Sequence, residues 1–305
     1  MPVAAPLLPW PPPPCTPLLV GPTLRRDASP GTAWLDLASI QRLGLPTDGD
    51  AQCPSWLMDV LRAPVDAVLK ADHRTIVERV VAAGRPWVRK RYRGWAWKAR
   101  VYHAVRRSPA WREWWGVRRL ARVEGLRLNP PLALVHGPGH AHEVQTLILP
   151  FIEGLTLGEL LRGDAQTGTG PGTGTGSAAS PTTERRRRIA RRVGAQAATM
   201  IRAGVINRAG VINRDHKSEN LILDEAALRG ELAPVIIDLA GVRRRRPGAW
   251  GRRQALRMLA TLVRTCRRAG PVCPRELGRG LRAVREVTGL HIEPQALLAA
   301  VRRRP

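Results

Sequence analysis

A chain of 305 residues carries 50 Lys and Arg against 24 Asp and Glu, a formal net charge of +26, so it can bury a core of domain size and its charge suits anionic partners. No apolar run approaches the ~20 residues needed to span a bilayer. Its four cysteines, Cys15, Cys53, Cys266 and Cys273, lack metal-ligand spacing, which argues against a zinc module or a disulfide framework and for reduced thiols.

Residues 1–32 are rich in proline (Pro9, Pro11, Pro12, Pro13, Pro14) and read as extended, unordered chain; with no basic start and no continuous apolar stretch they do not read as a secretory leader. Residues 33–66 form an accessory segment with helical patterning, Leu35, Leu37, Ile40 and Leu43 first, then Trp56, Leu57, Val60 and Leu61. A first folded region spans 67–149. Within it Trp87-Val88-Arg89-Lys90-Arg91-Tyr92 has strand character, and a helix begins at Ala110-Trp111-Arg112-Glu113 and continues through Val117, Leu120 and Val123. His136, His140 and His142 flank Gly137 and Gly139 and mark a hairpin loop in preference to a metal site.

A second region spans 150–305. The strand Thr146 to Pro150 runs into a connection at Phe151-Ile152-Glu153-Gly154, and Thr156-Leu157-Gly158-Glu159 has the signature of a helix start. The stretch 163–182, dominated by Gly and Thr, cannot bury enough apolar surface to order itself and reads as a flexible insert. Glu184 to Gly204 follows as a basic helix. Another helix, Arg252 to Arg268, sets an apolar stripe (Leu256, Leu259, Leu262, Val263, Cys266) beside Arg253, Arg257, Arg264 and Arg267, a candidate surface for an anionic membrane.

The chemistry concentrates in Asn213-Arg214-Asp215-His216-Lys217-Ser218-Glu219-Asn220 and in Val235-Ile236-Ile237-Asp238. An Asp, a Lys two residues on and an Asn five residues on is the spacing of a phosphoryl-transfer loop, in which a carboxylate orients a hydroxyl and an amide oxygen helps hold a divalent cation. Asp238, at the end of an apolar strand, suits a second metal ligand. Lys90 on its strand and Glu113 on the next helix supply a held ammonium. Only four lysines, Lys70, Lys90, Lys98 and Lys217, stand among the 50 basic residues. In a chain that writes nearly every cation as Arg, a retained Lys suggests a site needing a compact ammonium.

Val88-Arg89-Lys90-Arg91-Tyr92, Ser108-Pro109-Ala110-Trp111-Arg112-Glu113-Trp114, Asn129-Pro130-Pro131-Leu132-Ala133 and Asn213-Arg214-Asp215-His216-Lys217 together resemble the bacterial lipopolysaccharide kinase (Kdo/WaaP) family, over roughly residues 65 to 265. The resemblance implies a two-lobed, protein-kinase-like α+β fold: a small antiparallel-sheet lobe with one main helix, and a mainly helical, shortened second lobe. It further implies transfer of phosphate from ATP, with Mg²⁺, to a sugar hydroxyl of a lipopolysaccharide core or related glycolipid. Asp215 is then the catalytic base and Lys217 neutralises charge on the γ-phosphoryl. Lys90, paired with Glu113, grips the α and β phosphates, and Asn220 and Asp238 hold the metal. Adenine is read at the connection by the Ile152 N–H, with Pro150 offering only its carbonyl.

The chain departs from the kinase pattern in four places. No Gly-x-Gly-x-x-Gly precedes Lys90, where Asp72-His73-Arg74 stands instead; Asn213 replaces the usual His; Ala240 stands where a DFG motif has Gly; and no Ala-Pro-Glu follows. A nucleotide-binding pseudokinase and a phosphotransferase with a non-lipid acceptor stay open as alternatives. Nucleic acid is disfavoured, since Arg243-Arg244-Arg245-Arg246 comes without a recognition motif. Ala203 to Arg208 and Ala209 to Arg214 are the same six residues in tandem; only the second precedes Asp-His-Lys, so the first either bulges out or extends the helix before it. Trp87, Trp95, Trp97, Trp111, Trp114 and Trp115, interleaved with Arg and Lys, suit docking on the anionic inner leaflet of the cytoplasmic membrane, while the helical spacing of Trp111 and Trp115 favours a core for those two. The expected location is cytoplasmic.

Overall fold

The computed structural model describes residues 32–46, 54–93, 108–121, 123–136, 143–163, 183–206, 211–213, 215–244, 249–270, 272 and 274–302. They divide into two compact units, one ending at Val117 and resuming over Asn129–Phe151, the other formed by Arg118–Leu128 and by Ile152 onward. The expected α+β class holds, with an antiparallel sheet in the first unit and a mainly helical second unit.

Strands β1 (Thr32–Leu35), β2 (Val65–Ala71), β3 (Thr75–Ala82), β4 (Arg85–Arg93), β5 (Ala133–His136) and β6 (Glu143–Pro150) form one sheet in the order β1-β5-β6-β4-β3-β2. The β-branched run of β3 shows how its faces differ: Ile76, Glu78, Val80 and Ala82 are buried, whereas Thr75, Val77 and Arg79 are half-buried and Val81 is exposed. The buried face of β3 packs against helix α2 (Ser55–Arg62), in a core that Ile40 of helix α1 (Leu37–Arg42) joins. Trp56 stacks on Trp87 at 5.6 Å between centroids, and Leu57 and Val60 share a core with Val80 and Ile148. Arg89 locks this helix to the sheet. Its guanidinium donates to the carbonyls of Leu61 at 2.8 Å and Ala63 at 3.1 Å, where a cation suits the helix C-terminus, and to Glu78 at 2.9 Å. Residues 33–35, expected within a helical segment, and Thr32, expected in unordered chain, form a strand because Ala33 and Leu35 alternate inward against β5, a partner about a hundred residues away that local spacing does not show.

The other face carries helix α3 (Pro109–Leu120), whose Trp111 and Trp114 pack on Tyr92, Leu134, Leu147 and Leu149. This corrects the membrane expectation for Trp87 and Trp114 and bears out the core reading of Trp111; each is 2% exposed and belongs to the core. Large aromatic surfaces gain more from burial here than from a lipid boundary. Trp115 stacks on Trp111; Trp95 and Trp97 lie outside the described residues.

In the second unit, helices α4 (Leu157–Arg162), α5 (Thr183–Ile206), α6 (Glu225–Leu228), α7 (Ala249–Ala269), α8 (Pro274–Thr288) and α9 (Pro294–Arg302) accompany two small sheets. One joins β7 (Leu155–Thr156), β9 (Leu221–Leu223) and β10 (Val235–Ile236); the other pairs β8 (Val211–Asn213) with β11 (Val242–Arg244). The capping box legible at α4 forms, Thr156 and Glu159 each accepting from the other's backbone N–H. Helix α5 approaches α8 so closely that a Cβ on Gly194 would stand 2.3 Å from the Gly280 carbonyl oxygen.

The apolar stripe of α7 is also core. Leu259, Leu262 and Val263 are buried and, with Leu157, Ile189 and Leu297, line a cavity of about 110 Å³, so the stripe is not presented to a membrane; Arg253, Arg257 and Arg267 face solvent. Cys266 lies at the same cavity, and burial pushes its thiol up to about 12, which keeps it protonated. Among the described residues no helix is long and apolar enough to cross a membrane. The first copy of the hexapeptide extends α5 through Ala203–Ile206, whereas Val211-Ile212-Asn213 of the second is strand β8. The proline-rich start, the histidine loop after His136, the insert from 164 to 182, and Cys15, Cys53 and Cys273 lie outside the described residues.

Candidate active site

Two groups of side chains carry the candidate chemistry, one in each unit. In the sheet unit, the alternation of β4 turns Lys90 to the face covered by α3, and the first turns of that helix bring Glu113 over it. Lys90 Nζ donates to Glu113 Oε2 at 2.6 Å, and the Tyr92 hydroxyl donates to the same oxygen. The ammonium also stands 5.4 Å from the Tyr92 ring centroid. With side-chain exposures of 11% and 2%, the pair is shielded from water, so its geometry is held and its loss is costly. At the end of β6 the Pro150 carbonyl accepts from Asn129 Nδ2 at 3.0 Å, which leaves one lone pair for a further donor. Ile152, half-buried, opens the second unit.

The turn before Lys90, where a glycine-rich loop was sought, is an Asx-turn. Asp72 Oδ1 accepts from the backbone N–H groups of Arg74 and Thr75, both at 2.8 Å, and those bonds hold its carboxyl below the usual range. The tip is closed by side-chain chemistry, not by glycine.

In the helical unit, β8 delivers the loop. Asn213, fully buried, accepts from the Asp215 N–H at 3.1 Å, and Asn220 Nδ2 donates to the Asp215 carbonyl at 2.8 Å. Asp215 is thus held at both ends of its backbone while its carboxylate, 46% exposed, faces outward 3.6 Å from Lys217 Nζ. Ser218 N–H donates to Thr265 Oγ1 at 3.0 Å, tying the loop to α7. His216 is fully buried, and neither ring nitrogen has a partner among the described residues. Burial lowers its pKa to about 4, so it is a neutral packing residue at physiological pH and not a base.

Asp238 lies two residues beyond the short strand β10, not at its end, in the left-handed region at φ 54° and ψ 71°. A non-glycine residue there stores roughly 1–3 kcal/mol of strain. The position is fixed from both sides, by the Ile237 N–H bonded to the Asn220 carbonyl at 2.9 Å and by the 3₁₀ turn Leu239–Gly241. With its Nδ2 committed to Asp215, Asn220 retains Oδ1 as an acceptor. One amide oxygen and one carboxylate are hard donors of the kind Mg²⁺ takes alongside phosphate oxygens and water, so this donor set fits that ion.

Sequence reasoning passed over Gly241. Attention fell on Ala240, yet a Cβ built on Gly241 would stand 2.6 Å from Asp215 Oδ2 and 2.8 Å from both Asn213 Oδ1 and the Asp215 backbone nitrogen. Strand β11 begins at the next residue and pairs with β8, so the bare position lies where the two strands meet the Asp215 loop. The available signal was a glycine three residues after Asp238. Gly241→Ala is expected to push Asp215 off its position and to lower stability by about 1–3 kcal/mol through overpacking; denaturant unfolding of the variant checks it.

No protein family matches the chain by sequence, and no curated protein does. Among solved structures, WaaP in complex with acyl carrier protein aligns with 81% of this chain and 90% of its own, at a TM-score of 0.49 and 19% identity. The chemistry assigned below rests on this chain's own residues.

Proposed function

We propose that the chain is an ATP-dependent phosphotransferase that delivers the γ-phosphoryl group to an alcohol, with a sugar hydroxyl of a lipopolysaccharide core or related glycolipid as the acceptor. The observation that carries the reading is the outward carboxylate of Asp215, braced on its backbone by Asn213 and Asn220, beside the ammonium of Lys217. In phosphoryl transfer the protein positions reactants and stabilises charge more than it makes bonds, so rigid placement of these groups is the expected contribution.

Asp215 orients the acceptor hydroxyl and takes its proton, and Lys217 offsets charge on the transferred group. Lys90, fixed by Glu113, grips the α and β phosphates. Ile152 N–H and the Pro150 carbonyl read adenine. Asn220 Oδ1 and the Asp238 carboxylate would hold Mg²⁺, which when bound neutralises phosphate charge. An ATP-dependent role of this kind places the protein on the cytoplasmic side. The glycolipid acceptor is supported by the sequence segments around Lys90, Glu113, Asn129 and Asp215, and the absence of an Ala-Pro-Glu segment accords with an acceptor that is not an extended peptide.

The test is incubation of the purified protein with γ-labelled ATP, Mg²⁺ and a lipid extract of the source cells. Label in a glycolipid fraction supports the reading. Label on added protein or on a soluble aminoglycoside replaces the acceptor, and nucleotide binding without turnover assigns a pseudokinase.

A further inference from the structure

We propose that Lys70 is a second phosphate-binding residue of the nucleotide site, an ammonium that does from strand β2 what a glycine-rich loop does with backbone N–H groups; the inference rests on the phosphotransferase reading above. Strand register carries it. Lys70 pairs with Val77 and Val77 with Lys90, so the three occupy one row on one face of the sheet. Directly paired residues project to the same side, and two strand spacings of about 4.8 Å separate the two lysines along the row.

That face is open where Lys70 lies. Helix α3 covers its β4, β5 and β6 portion through Trp111 and Trp114, whereas on β3 the residues facing the same way, Thr75, Val77 and Arg79, remain half-buried. Arg79 is already engaged, 2.9 Å from Asp66 and 4.9 Å over the Phe151 ring. Lys70 is 60% exposed, and its Nζ stands 3.3 Å from Asp72 Oδ2, itself fixed by the Asx-turn. An exposed pair of this kind is weak. It holds the ammonium at the hairpin tip and yields to a phosphate oxygen of higher charge.

Residue type separates this from an ordinary surface lysine. Solvent positions of the same unit are written as arginine, as at Arg62, Arg74, Arg85 and Arg93. Lys90 and Lys217 are the other described lysines, and both are placed on phosphate by the proposed function. A flexible four-carbon stem with a compact charge reaches a polyphosphate without the planar geometry that arginine demands.

The experiment titrates ATP and adenosine into the full chain and into Lys70→Ala, following heat or a fluorescent nucleotide, with thermal unfolding measured in parallel. ATP affinity of the variant is expected to fall about tenfold or more, with adenosine affinity and unfolding temperature unchanged. Equal ATP affinity in the two proteins overturns the proposal and leaves the proposed function standing. Equal loss of ATP and adenosine also overturns it, and failure of the unaltered chain to bind ATP removes both.

Discussion

Asp215→Asn is expected to lower phosphoryl transfer by about 10²–10⁴-fold while leaving ATP affinity unchanged. The substitution removes the proton acceptor and the charge but keeps the shape. The loop should survive it, because Asp215 is held through its backbone by Asn213 and Asn220, and its side chain bears no core packing. Only the Oδ2 side is crowded, by the bare face of Gly241, and an amide of equal size fits there. Single-turnover transfer from labelled ATP, with a nucleotide titration on the same preparation, gives both numbers. Retained turnover in a folded variant would remove Asp215 from the catalytic role, and the function proposed for the loop with it.

Lys90→Met is expected to damage the protein in two separable ways. Glu113, 2% exposed, would keep the Tyr92 hydroxyl but lose the Lys90 ammonium, and breaking a buried pair by removing one partner costs on the order of 3–5 kcal/mol. ATP affinity should fall as well, since the direct neighbours of Lys90 across the row, Val77 and Leu147, are apolar and bring no ammonium to its position. Adding Glu113→Gln removes the stranded charge, so the double variant should recover much of the stability and none of the ATP affinity. Denaturant unfolding and nucleotide titration of the single and double variants separate the two effects. Parallel recovery of both would show that Lys90 matters only for folding.

Much of this architecture can be read locally. The capping box at Thr156 and Glu159, the alternation of β3, and the spacing from Asp215 to Asn220 each depend on residues within one turn or one strand, so a short window contains their cause. Lys90 and Glu113 are more distant but meet because strand and helix periodicities turn both inward. Their part in nucleotide binding is the proposal to be tested. The tryptophans and the α7 stripe show where local reading fails. An amphipathic pattern says that one face will be covered, and whether lipid or protein covers it is decided by what packs there, Leu134 and Leu147 for Trp114, and α4, α5 and α9 for the stripe. Gly241 was overlooked for the same reason, since the need for a missing side chain appears only when β11 closes on the loop that carries Asp215.

The two copies of Ala-Gly-Val-Ile-Asn-Arg mark the boundary. Composition, capping and the order of charged groups determined which chemistry this chain could carry, whereas the two copies, identical in all six residues, have the same local propensity. Val205 and Ile206 nonetheless finish helix α5, while Val211 and Ile212 form strand β8. The second copy reaches Arg244, Arg243 and Val242 and completes a two-stranded ladder with them, so its backbone groups are satisfied across the chain and not along it. With equal propensities in the two copies, tertiary pairing decides that the second is a strand, and the sequence places Asp215 after that copy alone.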